Sequence, residues 1–180
     1  MTLTPDERRV LLALARDSVA LQVRGGARNA APALPPLPDA SGVFVTLRIR
    51  GELRGCLGTL DCRDGLGCET ARCAAQAASE DPRFPPVNGA ELIHLRVEVS
   101  VLGPLEPIHP VRLHEVTIGR HGLVVERHAR RGLLLPQVAV EWGWSGEEFL
   151  AHTCLKAGLP ADAWRGGAHV FRFEADVFGD

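Results

Sequence analysis

The chain has no tyrosine, a single lysine and no charge of one sign to speak of: 20 Lys+Arg stand against 22 Asp+Glu, a formal net charge of −2. Without a cationic excess there is no field that draws a chain onto nucleic acid or an anionic membrane, so neither partner class is expected. There is no apolar run of about 18 residues. Met1 to Asp6 leads into charge and not into the apolar core of a secretory signal, so the expected location is cytoplasmic. Disulfide density is missing too. Five cysteines, Cys56, Cys62, Cys68, Cys73 and Cys154, are an odd number in a 180-residue chain that is long enough to build a core without staples, and they read as reduced thiols. Their spacing contains no C-x-x-C clip, no H-E-x-x-H occurs, and no glycine-rich loop carries the lysine that cradles phosphates, so neither a metal centre nor a nucleotide site is expected.

What is present is a patterned globular sequence, 46% hydrophobic and 23% charged. Thr4-Pro5-Asp6-Glu7 spells a capping box with proline at the first helical position, and Leu11, Leu14, Ala15, Ser18 and Val19 follow at helical spacing. Residues 29 to 39, rich in Pro and Ala, read as an extended connection. From Val43 the period changes to two. Val45, Leu47 and Ile49 alternate with Thr46, Arg48 and Arg50, then Gly51 precedes a second run, Leu53 to Leu60, which together predict a hairpin. A three-residue loop at Arg50-Gly51-Glu52 keeps Val45, Leu47, Ile49, Leu53 and Leu57 on one face and Thr46, Arg48, Arg54 and Cys56 on the other; a two-residue loop mixes them. Residues 66 to 79 predict a helix ending before Pro82, and Leu95 to Val101 a strand on which Glu98 and Ser100 share the polar face. Between Val116 and Val140, short apolar runs predict an antiparallel meander, with an edge or bulge at Pro136. Ser145 to Glu148 is a second capping box, for a helix to about Lys156, and Val170 to Phe178 returns to a strand. Helices interrupted by antiparallel runs predict an α+β fold, with residues 104 to 168 as a second lobe.

The segment Leu53-Arg54-Gly55-Cys56-Leu57-Gly58 sets a cation, two small residues and a thiol on one strand. Arg48 and Arg54 facing each other repel unless an acid or a bound anion lies between them. A thiol near two guanidinium groups is biased toward thiolate, which makes Cys56 a candidate nucleophile; a small half-buried cysteine is the plainer alternative. His121, in a turn between Arg120 and Gly122, is the candidate base, and Glu98 either orients His121 or pairs with Arg54. Arg83, in DPRFPPV, and Gln137, beside Pro136, are candidate substrate contacts, together with Arg48, Arg54, Gly55 and Gly58. Trp142, Trp144 and Trp164 are expected in the core, and an exposed one would mark a partner surface.

Six ordered segments, LRGCLGTL, DPRFPPV, LRVEVSVLGPLEPI, IGRHGLVV, RRGLLLPQVAVEWGW and TCLKAGLP, resemble the AMMECR domain family over nearly the whole chain. The resemblance implies an α+β fold of a larger and a smaller subdomain, with antiparallel or mixed sheets flanked by helices and a cleft between them. It also implies the A component of a system shared with a Memo-like protein and a radical SAM protein. It supplies no reaction and no cofactor. Two roles are expected of the chain. In one, an Arg54/Cys56 site takes an anionic substrate; in the other, the same surface serves a non-catalytic adaptor.

Overall fold

A computed structural model describes residues 2–26, 35–108 and 113–180 and divides them into two compact units. The first comprises Thr2–Leu102 with Asp176–Asp180, the second Gly103–Ala175. Part of the predicted connection at 29 to 39 lies outside the described residues.

In the first unit, helix α1 (Pro5–Val23) begins at the expected capping box: Thr4 Oγ1 accepts from the Glu7 amide at 3.3 Å, and Glu7 Oε2 accepts from the Thr4 amide at 2.7 Å. Strands β1 (Gly42–Ile49), β2 (Glu52–Thr59) and β3 (Leu95–Leu102) form an antiparallel sheet with β1 in the middle. Helix α2 (Leu66–Ser79) and α1 cover one face of that sheet. Val43, Val45, Leu47, Val97, Val99 and Val101 project into the core they share with Leu11, Val19, Ala74 and Ala77. Period-two alternation therefore leaves the opposite face to Thr46, Arg48, Arg96, Glu98 and Ser100.

The first hairpin departs from the expected loop. Ile49 pairs with Glu52 across a two-residue turn, Arg50-Gly51, in which both residues have positive φ (54° and 87°). This is the mirror-image turn that matches strand twist, and glycine occupies its second position. The register then shifts: Arg48 faces Leu53 while Leu47 faces Gly55, so Arg54 is the extra residue of a bulge. Beyond the bulge, Thr46 faces Cys56 and Val45 faces Leu57, the pairing the alternation demands. A tight turn and a bulge thus satisfy glycine placement and apolar pattern together, which a three-residue loop would not.

The second unit carries β4 (Glu106–Ile108), β5 (His121–Arg127), β6 (Arg130–Leu134) and most of β7 (His169–Gly179), whose last residues belong to the first unit. β7 pairs antiparallel with β4 and with β5, and β5 pairs with β6. The expected strand through Pro136 is instead a short helix, α3 (Pro136–Glu141), because proline there sits at the first helical position, where its missing N–H costs nothing. Helix α4 (Gly146–Lys156) starts at the Ser145/Glu148 capping box and packs on β5 and β6. Phe149, Leu150, Leu123, Val125 and Val170 are the centre of this core. Trp144 and Trp164 pack against it, but Trp142 is 70% exposed, contrary to the core placement expected for it.

Glycine is a packing requirement at Gly55, where an added Cβ would lie 2.2 Å from the carbonyl oxygen of Ala77 on α2. Gly55→Ala is therefore expected to cost roughly 1–3 kcal/mol of stability in denaturant unfolding, the usual range for overpacking against a rigid neighbour. Gly89→Ala, where a Cβ meets nothing within 4 Å, serves as the control and should stay within about 0.5 kcal/mol of wild type.

Candidate functional site

The antiparallel register sets three polar side chains in one row across the face of the first sheet opposite α1 and α2: Cys56 on β2 faces Thr46 on β1, which faces Glu98 on β3. Thr46 Oγ1 donates to Cys56 Sγ at 3.2 Å. Glu98 Oε1 is buried and has no hydrogen-bond partner among the described residues, and neither has Ser100 Oγ, two residues along the same face. The next row places Phe44 between Gly58 and Ser100, and a Cβ on Gly58 would lie 2.2 Å from the Phe44 ring. The two glycines of the LRGCLG segment thus have separate tasks: Gly55 admits helix α2, and Gly58 admits an aromatic ring beside the row.

The thiol-bearing backbone is held by the DPR loop. Cys56 N donates to Asp81 Oδ2 at 2.8 Å, and Arg83 Nη2 donates to Cys56 O at 3.4 Å. Arg83 and Asp81 are joined by a two-armed fork, Nε to Oδ1 at 2.9 Å and Nη2 to Oδ2 at 2.7 Å. This pair completes the outer edge of β2 at Cys56 as a neighbouring strand would, from two side chains. Hydrogen bonds from Arg83 and from the Cys56 and Arg83 amides hold the Asp81 carboxyl well below the usual carboxylate range, although burial opposes them.

Arg54 and Arg48 do not face each other, and no anion is needed between them. Arg54 forks onto Glu91, Nε to Oε1 at 2.7 Å and Nη2 to Oε2 at 3.0 Å, and donates also to the carbonyls of Pro85 and Pro86. Its charge fastens the bulge to the 85–91 loop, and four of its five N–H donors are used in doing so. Glu91, and not Glu98, is the acid it pairs with. Arg48 donates to Gly51 O within its own hairpin at 3.3 Å.

Cys56 is half-buried, and burial pushes its thiol above its ordinary value. The Thr46 hydrogen bond and the Arg83 charge pull it down, while Asp81 and Glu98 add to the upward push. The thiolate expected beside Arg48 and Arg54 is not favoured: Arg54 is paired with Glu91, the arginine that does lower the thiol is Arg83, itself paired with Asp81, and desolvation is the largest influence. Cys62 and Cys73 are pushed up further, each to about 11, again first by burial.

His121 and Gln137 belong to the second unit. His121 is buried, and its Nδ1 accepts from the Thr117 amide at 2.9 Å. Burial lowers its pKa, with the charges of Arg172 and Arg120 acting in the same direction. The Thr117 amide thus fixes the orientation of the ring. Gln137 lies in the first turn of α3, with Oε1 buried and unpartnered. Among the described residues no group of three His, Cys, Asp or Glu is placed to hold a metal ion, and no helix is long and apolar enough to cross a membrane. Asp81, Thr46 and Ser100 are additions to the candidate site residues of the sequence. For Ser100 the signal is its shared face with Glu98 and for Thr46 its shared face with Cys56; for Asp81 it appears only once the chain folds.

A family profile described as AMMECR1 matches residues 12–178. A protein of Methanothermobacter thermautotrophicus is 45% identical, with 98% of this chain and 95% of that protein covered. One from Thermococcus gammatolerans is 49% identical over 93% of this chain and 87% of its own length. The crystal structure of an uncharacterised protein from Pyrococcus horikoshii superposes with a TM-score of 0.92 at 41% identity, covering 100% of this chain and 94% of that one.

Two outcomes follow from the electrostatics of the first unit. With iodoacetamide, exposed Cys68 should be alkylated first, and the pH midpoint for Cys56 should lie above its ordinary value of 9.0; a midpoint below it would restore the reactive thiolate. Because Asp81 is more acidic folded than unfolded, its contribution to stability is complete above the unfolded carboxyl value of about 3.9 and is lost as pH falls below it. Asp81→Asn should lose about 1.5–3 kcal/mol near neutrality and show a shallower loss of stability in acid than wild type, read from denaturant midpoints across that pH range.

Proposed function

Because the chain belongs to the AMMECR1 family, we propose that it is the small-molecule-binding component of a system completed by a Memo-like protein and a radical SAM protein, and that the Cys56–Thr46–Glu98 row receives the ligand. The observation that carries this reading is the buried, unpartnered Glu98 Oε1 with the equally orphaned Ser100 Oγ beside it. A desolvated carboxylate oxygen without a donor is costly, and native interiors keep such a group chiefly where something else supplies the missing hydrogen bond. A ligand that donates N–H or O–H groups meets that need. Cys56 contributes a protonated, polarisable sulfur alongside Thr46, and the partner proteins carry any difficult bond chemistry. An anionic substrate held by Arg54 is the weaker version of this role, since the Arg54 guanidinium is already forked onto Glu91.

One observation favours the adaptor instead. Trp142, Val140 and Leu155, all in the second unit, are 70%, 58% and 53% exposed, apolar surface that a partner protein could cover. The two readings separate by variant. After incubation with the small-molecule fraction of a cell extract, native mass spectrometry of the full chain is expected to show an adduct that Glu98→Gln and Thr46→Val lose and Trp142→Ala keeps. An adduct unaffected by Glu98→Gln sinks the binding role; loss of binding to the partner proteins in Trp142→Ala alone supports the adaptor.

A further inference from the structure

The second unit contains a cavity of about 260 Å³ bordered by Glu106, Arg120, His121, Arg172, Phe173 and Glu174. Its charged groups are set by strand pairing: β5 and β7 place His121 opposite Glu174, and β4 and β7 place Glu106 opposite Arg172. His121 is only 9% exposed, and the Thr117 amide occupies its Nδ1. In a neutral imidazole whose Nδ1 accepts, the proton resides on Nε2, so the ring carries one fixed N–H donor. Arg120 sets both Nε and Nη2 on a single oxygen of Glu174, at 2.8 and 2.7 Å. Arg172 does the same to Glu106 with Nε and Nη2, at 3.0 and 2.9 Å, and donates Nη1 to Glu115 O at 2.7 Å.

Acids and bases are equal in number around the cavity but not equal in effect at the ring. After burial, Arg172 and then Arg120 are the larger influences on His121, ahead of Glu174 and Glu106, which act oppositely. Two guanidinium groups and a pre-oriented ring N–H donor thus border one cavity, and burial, Arg172 and Arg120 all favour the neutral ring. The side chains of Arg120 and Glu174 are 67% and 46% exposed, and an ion pair so solvated contributes little, so Arg120 can exchange its carboxylate partner for another at small cost. The apolar wall is Phe173, itself 1% exposed.

We propose that this cavity is a binding site for a small oxyanion, a carboxylate or a phosphate group, which accepts from His121 Nε2–H and takes Arg120 from Glu174. All the residues that border it belong to the second unit. A bound anion stabilises the imidazolium, so occupancy and protonation of His121 are linked: the anion raises the titration midpoint of the ring, and its affinity rises as pH falls through that midpoint. Arg120, Arg172, Glu106 and Glu174 are the charged groups that compete in this balance.

The test is an NMR titration of His121 in the full chain at fixed ionic strength, in chloride alone, in inorganic phosphate and in acetate at tens of millimolar. An upward shift of about one pH unit in the His121 midpoint is expected with at least one of the two oxyanions. A response to phosphate alone assigns a phosphoryl ligand and a response to acetate alone a carboxylate, each supporting the site. Arg120→Gln, on the exposed rim, should abolish the shift without unfolding the chain, and Arg172→Gln serves as the second variant. The proposal is overturned if neither oxyanion moves the midpoint, or if the shift survives in Arg120→Gln.

Discussion

The carboxylate of Asp81 is the constraint on which the thiol region of the first unit depends. It is 4% exposed, accepts from the backbone of Cys56 and is neutralised by Arg83, which returns a hydrogen bond to the carbonyl of the same residue. An edge strand ordinarily offers unpaired N–H and C=O groups to whatever approaches. Here one acidic and one basic side chain close that edge where the sulfur is displayed. The loop rich in proline, DPRFPPV, can do this because Asp81 and Arg83 sit two residues apart in a turn, with the Arg83 amide itself donating to Asp81 Oδ1. Arg54 fastens the other end of the same loop through the carbonyls of Pro85 and Pro86, and pairs with Glu91 just beyond it. The cations that make the LRGC segment look like an anion site are in this way consumed by structure.

That consumption changes what chemistry the two units support. In the first, desolvation and two acids outweigh the remaining positive charge at Cys56, and the unfilled group is an acceptor, Glu98 Oε1. In the second, two arginines outweigh two glutamates at His121, and the free group at the ring is a donor. The first unit is therefore built to meet a donor, the second an acceptor. The thiol residue is held by Thr46, Asp81 and Arg83 and the imidazole by Thr117, each within its own unit.

The local rules that held were those acting over a few residues. Both capping boxes form, because Ser or Thr at the cap and Glu three positions on satisfy each other without outside help. The α+β character and the alternation that puts Thr46 with Cys56 and Glu98 with Ser100 were equally legible, since a half-buried strand must present its polar residues on one side. The hairpin loop and Pro136 misled for a related reason. At each, two local preferences competed: a mirror-image turn with a bulge against a longer loop, and a helix start against a strand irregularity.

Sequence by itself determined the secondary structure period, the pairing face of the thiol and the absence of a charge excess, because composition and spacing of two or three and a half residues need no partner to be read. Only the tertiary structure decided which charges were still available. Glu91 takes Arg54 across 37 residues and Asp81 takes the Cys56 amide across 25, and no periodicity encodes a contact of that length. Burial, which sets the direction of both the Cys56 and the His121 pKa, is likewise a property of the packed chain and not of any segment in it.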